Sequence, residues 1–188
     1  LNGGQLNPAI PVANIAAQMN ALANAGATKF LIPNLPNLGS VPGTSGTPFA
    51  TGLNLLTAGH NLGLANTLTS FSQTRPNVSV SLLDINTLFT QVMANGAAFG
   101  FDNVTQNYIS NQGQIPGLAP IQIGTGDPNR YLFWDEVHPT AAGHQQIALR
   151  AVAAVVTPEP GTLALAAVGA GLTLLTKRRR RATRKCAE

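Results

Sequence analysis

The stretch Tyr131-Leu132-Phe133-Trp134-Asp135-Glu136-Val137-His138-Pro139-Thr140-Ala141-Ala142-Gly143-His144 decides how this chain folds. Four apolar residues, too few for a helix, run into a polar turn and then Thr140, whose hydroxyl suits a helix N-cap. Downstream, Ile147, Ala148, Ala151, Val152 and Val155 recur at the spacing that gives that helix one buried face. Short strand, tight turn and helix in this order predict part of a parallel α/β sheet.

The same alternation appears farther upstream. Residues 102–130 show no period and hold Asn, Gly, Gln and three prolines, which predicts a long loop. Asn86 is placed to cap a helix that ends near Gly96. Before it, Val78, Val80 and Leu82 alternate with Ser79 and Ser81 into Asp84, a second strand, and Leu64, Leu68 and Phe71 mark a helix that ends before Pro76. Lys29 to Pro33 is a short apolar run of the kind that is buried on both faces. Val12, Ile15, Met19 and Leu22 fall on one helical stripe, with Gly26 supplying a left-handed cap behind them.

In open α/β sheets functional groups gather beyond the carboxyl ends of the strands. The quoted turn lies at such an end, and within it Asp135 and His138 are three residues apart. On a tight turn Asp135 can accept a hydrogen bond from one ring nitrogen of His138, leaving the other nitrogen as a base. The same pattern also serves a carboxylate that caps a turn beside a surface histidine; the apolar segment ahead of it favours chemistry. His144 falls early in the last helix, where packing or solvent accounts for it, and His60 reads as a plain surface residue of a helix. Asp84 stands at a strand end, with helix capping as its main role, and Asn34 and Asn37 can line the same mouth. Ser45, in Gly43-Thr44-Ser45-Gly46, lacks a preceding strand to hold a strained nucleophile elbow. Asn77 and Asn103 open glycosylation sequons, which carry little weight if the source is bacterial. Three scattered histidines imply no metal site, and no cofactor is expected.

Length and charge close off other classes. The 188 residues suit one domain and a tail, and only 10% are charged, as on an exported protein rather than a cytosolic one. Seven of the eleven bases lie between Lys177 and Lys185, while residues 1–156 hold four bases and five acids, a net of −1. No basic groove can follow phosphates on that body, which excludes nucleic acid. Cys186 is the single cysteine, so neither a disulfide framework nor a Cys-based zinc site exists. The first residue is Leu1, and the reading is that processing or truncation has removed the true start. Pro158-Glu159-Pro160-Gly161 stops the last helix, dividing a domain at 1–156 from a tail at 157–188. Gly161 to Thr176 carries no charge and as a helix spans about 24 Å, marginally short for a bilayer core of about 30 Å. Lys177 and the arginines after it would hold the cytoplasmic side.

Pro158-Glu159-Pro160, the apolar segment 161–176 and the terminal arginines together resemble the PEP-CTERM sorting signal of Gram-negative bacteria. That resemblance implies an exosortase-type sorting enzyme as partner, transient anchoring in the inner membrane and delivery to the cell surface or extracellular matrix. The body is similar to the SGNH or GDSL family of esterases and lipases. The quoted stretch resembles that family's last block, and Lys29-Phe30-Leu31-Ile32-Pro33-Asn34-Leu35-Pro36-Asn37-Leu38-Gly39 and Leu82-Leu83-Asp84-Ile85-Asn86-Thr87-Leu88-Phe89 resemble its middle strands and their loops. The resemblance implies a flavodoxin-like three-layer α/β/α sandwich, incomplete at the N-terminus, and hydrolysis of an ester substrate through an acyl-enzyme, with Asp135 and His138 in the triad. The family's Gly-Asp-Ser nucleophile block and Gly-x-Asn-Asp oxyanion block are both missing from residues 1–188, so this stretch alone is expected to be inactive. The competing expectation is an exported surface or matrix protein that binds polysaccharide or another partner without catalysis. A small membrane-anchored structural protein explains the tail but leaves Asp135 and His138 unexplained.

Overall fold

Helices and strands alternate as expected as far as Ala94, and among the described residues four short strands then precede the last helix. The computed structural model describes residues 6–110 and 122–156, so the expected apolar helix at 161–176 and the Pro158-Glu159-Pro160 motif lie outside the described residues. The elements are α1 (Ala9–Asn24), β1 (Lys29–Pro33), α2 (Ala50–Thr74), β2 (Ser79–Leu83), α3 (Ile85–Ala94), β3 (Asn103–Asn107), β4 (Ile109–Ser110), β5 (Gln122–Ile123), β6 (Tyr131–Phe133) and α4 (Ala141–Val156). Short 3₁₀ turns cover Gly96–Phe99 and Pro128–Arg130. No helix among the described residues is long and apolar enough to cross a membrane.

β1 pairs in parallel with β2, from Lys29 opposite Ser79 to Pro33 opposite Leu83. Because side chains alternate along a strand, Phe30 and Ile32 face one way and Leu31 the other. The first face packs on α1 and α2 through Phe30, Val12, Met19, Leu64, Leu68 and Phe71, with the Phe30 and Phe71 rings edge to face at 5.6 Å. The second face meets α3, β6 and α4 in a core of Leu83, Leu88, Phe89, Val92, Leu132 and Phe133. Each such side chain, fully buried, contributes about 1.5 to 3 kcal/mol. β3 pairs in parallel with β6 across a register irregularity, and β4 pairs with β5 antiparallel. Among the described residues the expected sandwich sheet is thus present as three two-stranded pieces.

Several expectations need correction. β1 is covered on both faces only along its middle, by Phe30 and Ile32 on one side and Leu31 on the other; Lys29 and Pro33 at its ends are exposed, and β2 is its one hydrogen-bonded neighbour among the described residues. In β2, Leu82 is exposed, while Val80 packs on the first core and Leu83 enters the second. Leu22 is exposed because ten residues of helix carry it about 80° round from Val12. In α4 the covered row is Gly143, Ile147 and Ala151, and Val152, about 140° from Ile147, points to solvent with Ala148 and Val155. β3 to β5 and a 3₁₀ turn occupy part of the stretch expected to be one loop. Asp84 caps α3 as expected, accepting from the Thr87 amide at 3.0 Å, whereas Asn86, also placed as a cap, lies inside the first turn.

The ends of α1 and α4 follow their sequence signals. Gly26, just past α1, has φ +102, the left-handed region that only glycine enters without strain. Thr140 caps α4 by accepting from the Gly143 amide at 3.1 Å, a bond that contributes about 1 kcal/mol. The same hydroxyl donates to the Tyr131 carbonyl at 2.7 Å, which fastens the helix start to β6. A side chain at position 143 would bring its Cβ within 2.9 Å of the Leu132 carbonyl oxygen, so glycine is what lets α4 seat on the strand.

Candidate active site

The turn between β6 and α4 closes when the Trp134 amide donates to the His138 carbonyl at 2.7 Å. Inside it, Oδ1 of Asp135 accepts from the amides of Val137 at 2.9 Å and His138 at 2.7 Å. The His138 ring swings back so that Nδ1 lies 2.9 Å from Oδ2 and 3.0 Å from Oδ1 of Asp135. The capping reading and the catalytic reading are therefore both met by one carboxylate. Burial works to raise the Asp135 pKa, but the amides of His138 and Val137 and the His138 ring outweigh it and hold the carboxyl below its ordinary value. An ionised carboxylate only accepts, so Nδ1 carries the proton and Nε2 of the neutral ring keeps its lone pair. The Asp135 side chain is 17% exposed and that of His138 is 74% exposed. A sheltered anion thus orients a base whose working face is open.

The strands beside the turn hold its entry. Tyr108 and Ile109 donate their amides to the carbonyls of Phe133 and Trp134. The Tyr108 ring stacks on Trp134 at 5.5 Å and meets Tyr131 edge to face at 5.3 Å. On the other side the Gly43 amide donates to the Glu136 carbonyl at 2.9 Å, which joins the loop after β1 to the turn.

That loop is knitted by amides. Asn61 of α2 accepts from the Leu35 amide at 2.9 Å and donates to the Leu35 carbonyl at 2.8 Å, and Asn54 accepts from the Gly39 amide at 2.9 Å. Thr57 accepts from the Leu38 amide at 3.3 Å. From α3, Asn86 donates to the Leu35 carbonyl and to Asn37 Oδ1. Asn34 donates to Asp84 at 2.9 Å and accepts from the Asn86 amide. Asp84 is therefore a structural anchor: burial works to raise its pKa, yet bonds from Thr87 and Asn34 and the field of Arg150 hold it below the ordinary value. The one sequence signal of this network was the polar row Asn54, Thr57 and Asn61, spaced at i, i+3 and i+7 on α2.

His60 belongs to this region and is 5% exposed, a correction to its reading as a surface residue, with Nδ1 3.3 Å from Asn61 Oδ1. His144 places Nδ1 3.0 Å from the Thr140 carbonyl within α4. Ser45 is exposed on a turn, its amide bonded to the Val41 carbonyl, and the hydrogen bonds of the His138 ring both go to Asp135. No cluster of three or more metal-ligating side chains occurs among the described residues.

A family profile described as GDSL-like Lipase/Acylhydrolase matches residues 7–151. The chain is 34% identical over 140 residues to an uncharacterized protein of the trpE-trpG intergenic region of Pseudomonas putida, covering 72% of this chain and 23% of that one. It is 29% identical over 131 residues to a GDSL esterase/lipase of Arabidopsis thaliana, covering 65% and 34%, and 28% identical over 145 residues to a second, covering 72% and 38%. The chain thus spans less than half the length of these relatives. With the profile running from before α1 to the middle of α4, this chain belongs to the GDSL-like lipase/acylhydrolase family.

Proposed function

We propose that the protein is an exported ester hydrolase acting on a lipid or an acylated carbohydrate, with His138 as general base and then acid and Asp135 as its orienting partner. The observation that carries this reading is the His138 ring, held through Nδ1 by a sheltered carboxylate and open on its Nε2 side. Nε2 takes the proton of a serine hydroxyl as the oxygen attacks the ester carbonyl, and the imidazolium, stabilised by Asp135, returns it to the departing alcohol. Water then regenerates the serine from the acyl-enzyme by the same proton relay. The serine is expected in a Gly-Asp-Ser block and the oxyanion donors in a Gly-x-Asn-Asp block, neither of which lies in residues 1–188. The fold on this reading is the flavodoxin-like α/β/α sandwich, supported by apolar cores on both faces of the β1 and β2 pair. The Pro158-Glu159-Pro160 tail would pass the protein to an exosortase-type enzyme at the inner membrane, a reading supported by the three-part order of residues 157–185.

The test is His138→Ala in protein that carries the serine block, assayed on short-chain p-nitrophenyl esters. We expect kcat to fall by about 10³-fold or more. An unchanged rate would leave Asp135 and His138 structural and put the hydrolysis on other residues, and no hydrolysis by the unaltered protein would turn the reading to a non-catalytic exported binding protein.

A further inference from the structure

A cavity of about 160 Å³ opens between the loop after β1 and α3. Its floor is Val41, Phe89 and Phe133, each no more than 5% exposed. Met93, Ser40 and Thr90 stand at the walls and rim, and Pro36 and Asn37 of the loop roof it. Two connections set it beside the candidate active site. Phe133 is the last residue of β6, two before Asp135. The loop that supplies Ser40 and Val41 reaches the turn through the Gly43 to Glu136 hydrogen bond.

Resting on the ester hydrolase reading, we infer that this cavity receives the acyl chain of the substrate and limits it to a short one. No charged residue lines the cavity, so an acyl group ending in a carboxylate or phosphate would lose its hydration without a partner. Apolar floor and polar rim suit a chain that enters from water and ends in hydrocarbon. The size fits too: a cavity of about 150 Å³ takes up a benzene ring, so about six carbons fill this one. The floor cannot readily deepen, because Phe89 and Phe133 pack edge to face at 6.0 Å within the core. The roof is pinned as well, through the Asn86 to Asn37 hydrogen bond at the start of the loop.

The experiment has two arms. In the first, residues 1–188 are titrated with pentan-1-ol and followed by the NMR signal of the Met93 methyl, in the wild type and in Thr90→Phe, whose ring is placed at the rim to plug the cavity. We expect a saturable shift that weakens about tenfold in the variant. In the second, protein carrying the serine block is assayed on a p-nitrophenyl ester series from acetate to dodecanoate. We expect kcat/KM to peak at about four to six carbons and to fall about tenfold or more toward dodecanoate. Thr90→Phe should move the peak toward acetate, and Ser40→Phe gives the same readout from the opposite rim. Hydrolysis of dodecanoate as fast as hexanoate, or no Met93 shift with pentanol, overturns the cavity assignment and leaves the esterase reading standing. Pentanol bound at Met93 with no ester hydrolysed overturns the esterase reading, and the acyl assignment with it.

Discussion

The loop that leaves β1 and the turn that leaves β6 touch at the Gly43 to Glu136 hydrogen bond, yet they are held in opposite ways. The loop is fixed from a distance: Asn54, Thr57, Asn61 and Asn86 reach it from helices 15 to 51 residues away in sequence. The turn is fixed from within, by bonds from Asp135 to residues two and three positions on and by the Trp134 to His138 closure. A site whose geometry is written into six residues keeps its shape with little help, while the pinned loop supplies a rigid wall beside it. Chemistry and scaffold are thus carried by different kinds of bond, and substitutions can separate them.

The largest separation is expected at Asp135→Asn. The amide oxygen can still accept from Val137 and His138, so the turn survives, but the ring loses the anion that fixes its tautomer. The comparable change in a serine protease lowers kcat by about 10⁴, and a loss of that order is expected in protein carrying the serine block, with little change in thermal stability. A loss of folding instead of rate would break the comparison, by showing that the turn is also scaffold.

The reverse is expected at Asn61→Ala, which strips both the amide and the carbonyl of Leu35 of their Asn61 partner. Each half-buried group left short of a partner costs about 1 to 3 kcal/mol, less where water or Asn86 compensates, so a loss of about 2 to 4 kcal/mol should appear in urea unfolding. The Asp135 to His138 bond should persist, as read from the His138 ring proton shifts. A loss below about 0.5 kcal/mol would mean that Asn86, Asn54 and Thr57 hold the loop without Asn61.

The same difference explains what was legible in the sequence. Asp135 and His138 could be named because their contacts are three residues apart, and Thr140 because a cap is read within its own turn. α1, α2 and β2 carry enough periodic apolar residues to declare themselves. The buried state of His60 was hidden because the loop that covers the neighbouring Asn61 and Thr57 lies more than fifteen residues away in the chain. Asn86 was misread as a cap because a cap and a loop anchor have the same composition, and only the partner distinguishes them. β3 and β4 left no period because their residues are half-buried or exposed, and β6 and β5 respectively select them through backbone bonds, to which side chains contribute no signal. The exposed residues of α4 belonged to the predicted stripe because a strip of Ala and Val is apolar on more sides than the core covers.

Acid unfolding offers the smallest and sharpest test, since each region holds one lowered carboxylate: Asp84 under the loop and Asp135 in the turn. With a folded pKa below the unfolded value of about 3.9, each group contributes stability that is complete above that value. The contribution is lost as pH falls through the lowered folded pKa, so stability should decline below about pH 4. Asp84→Asn and Asp135→Asn each remove one such proton-linked step, and each variant should show a shallower decline in urea midpoint below that pH than the wild type. The two should differ in what else they change. Asp84→Asn can keep its acceptor oxygen toward Asn34 and Thr87, and should leave the pH-rate profile of ester hydrolysis in place while flattening the acid limb. Asp135→Asn should flatten the limb and lower the whole rate profile. If Asp84→Asn shifted the rate profile as well, the loop would have to sense the protonation state of the turn through Gly43 and Glu136, and the division between scaffold and chemistry would fail at the hydrogen bond where the two regions meet.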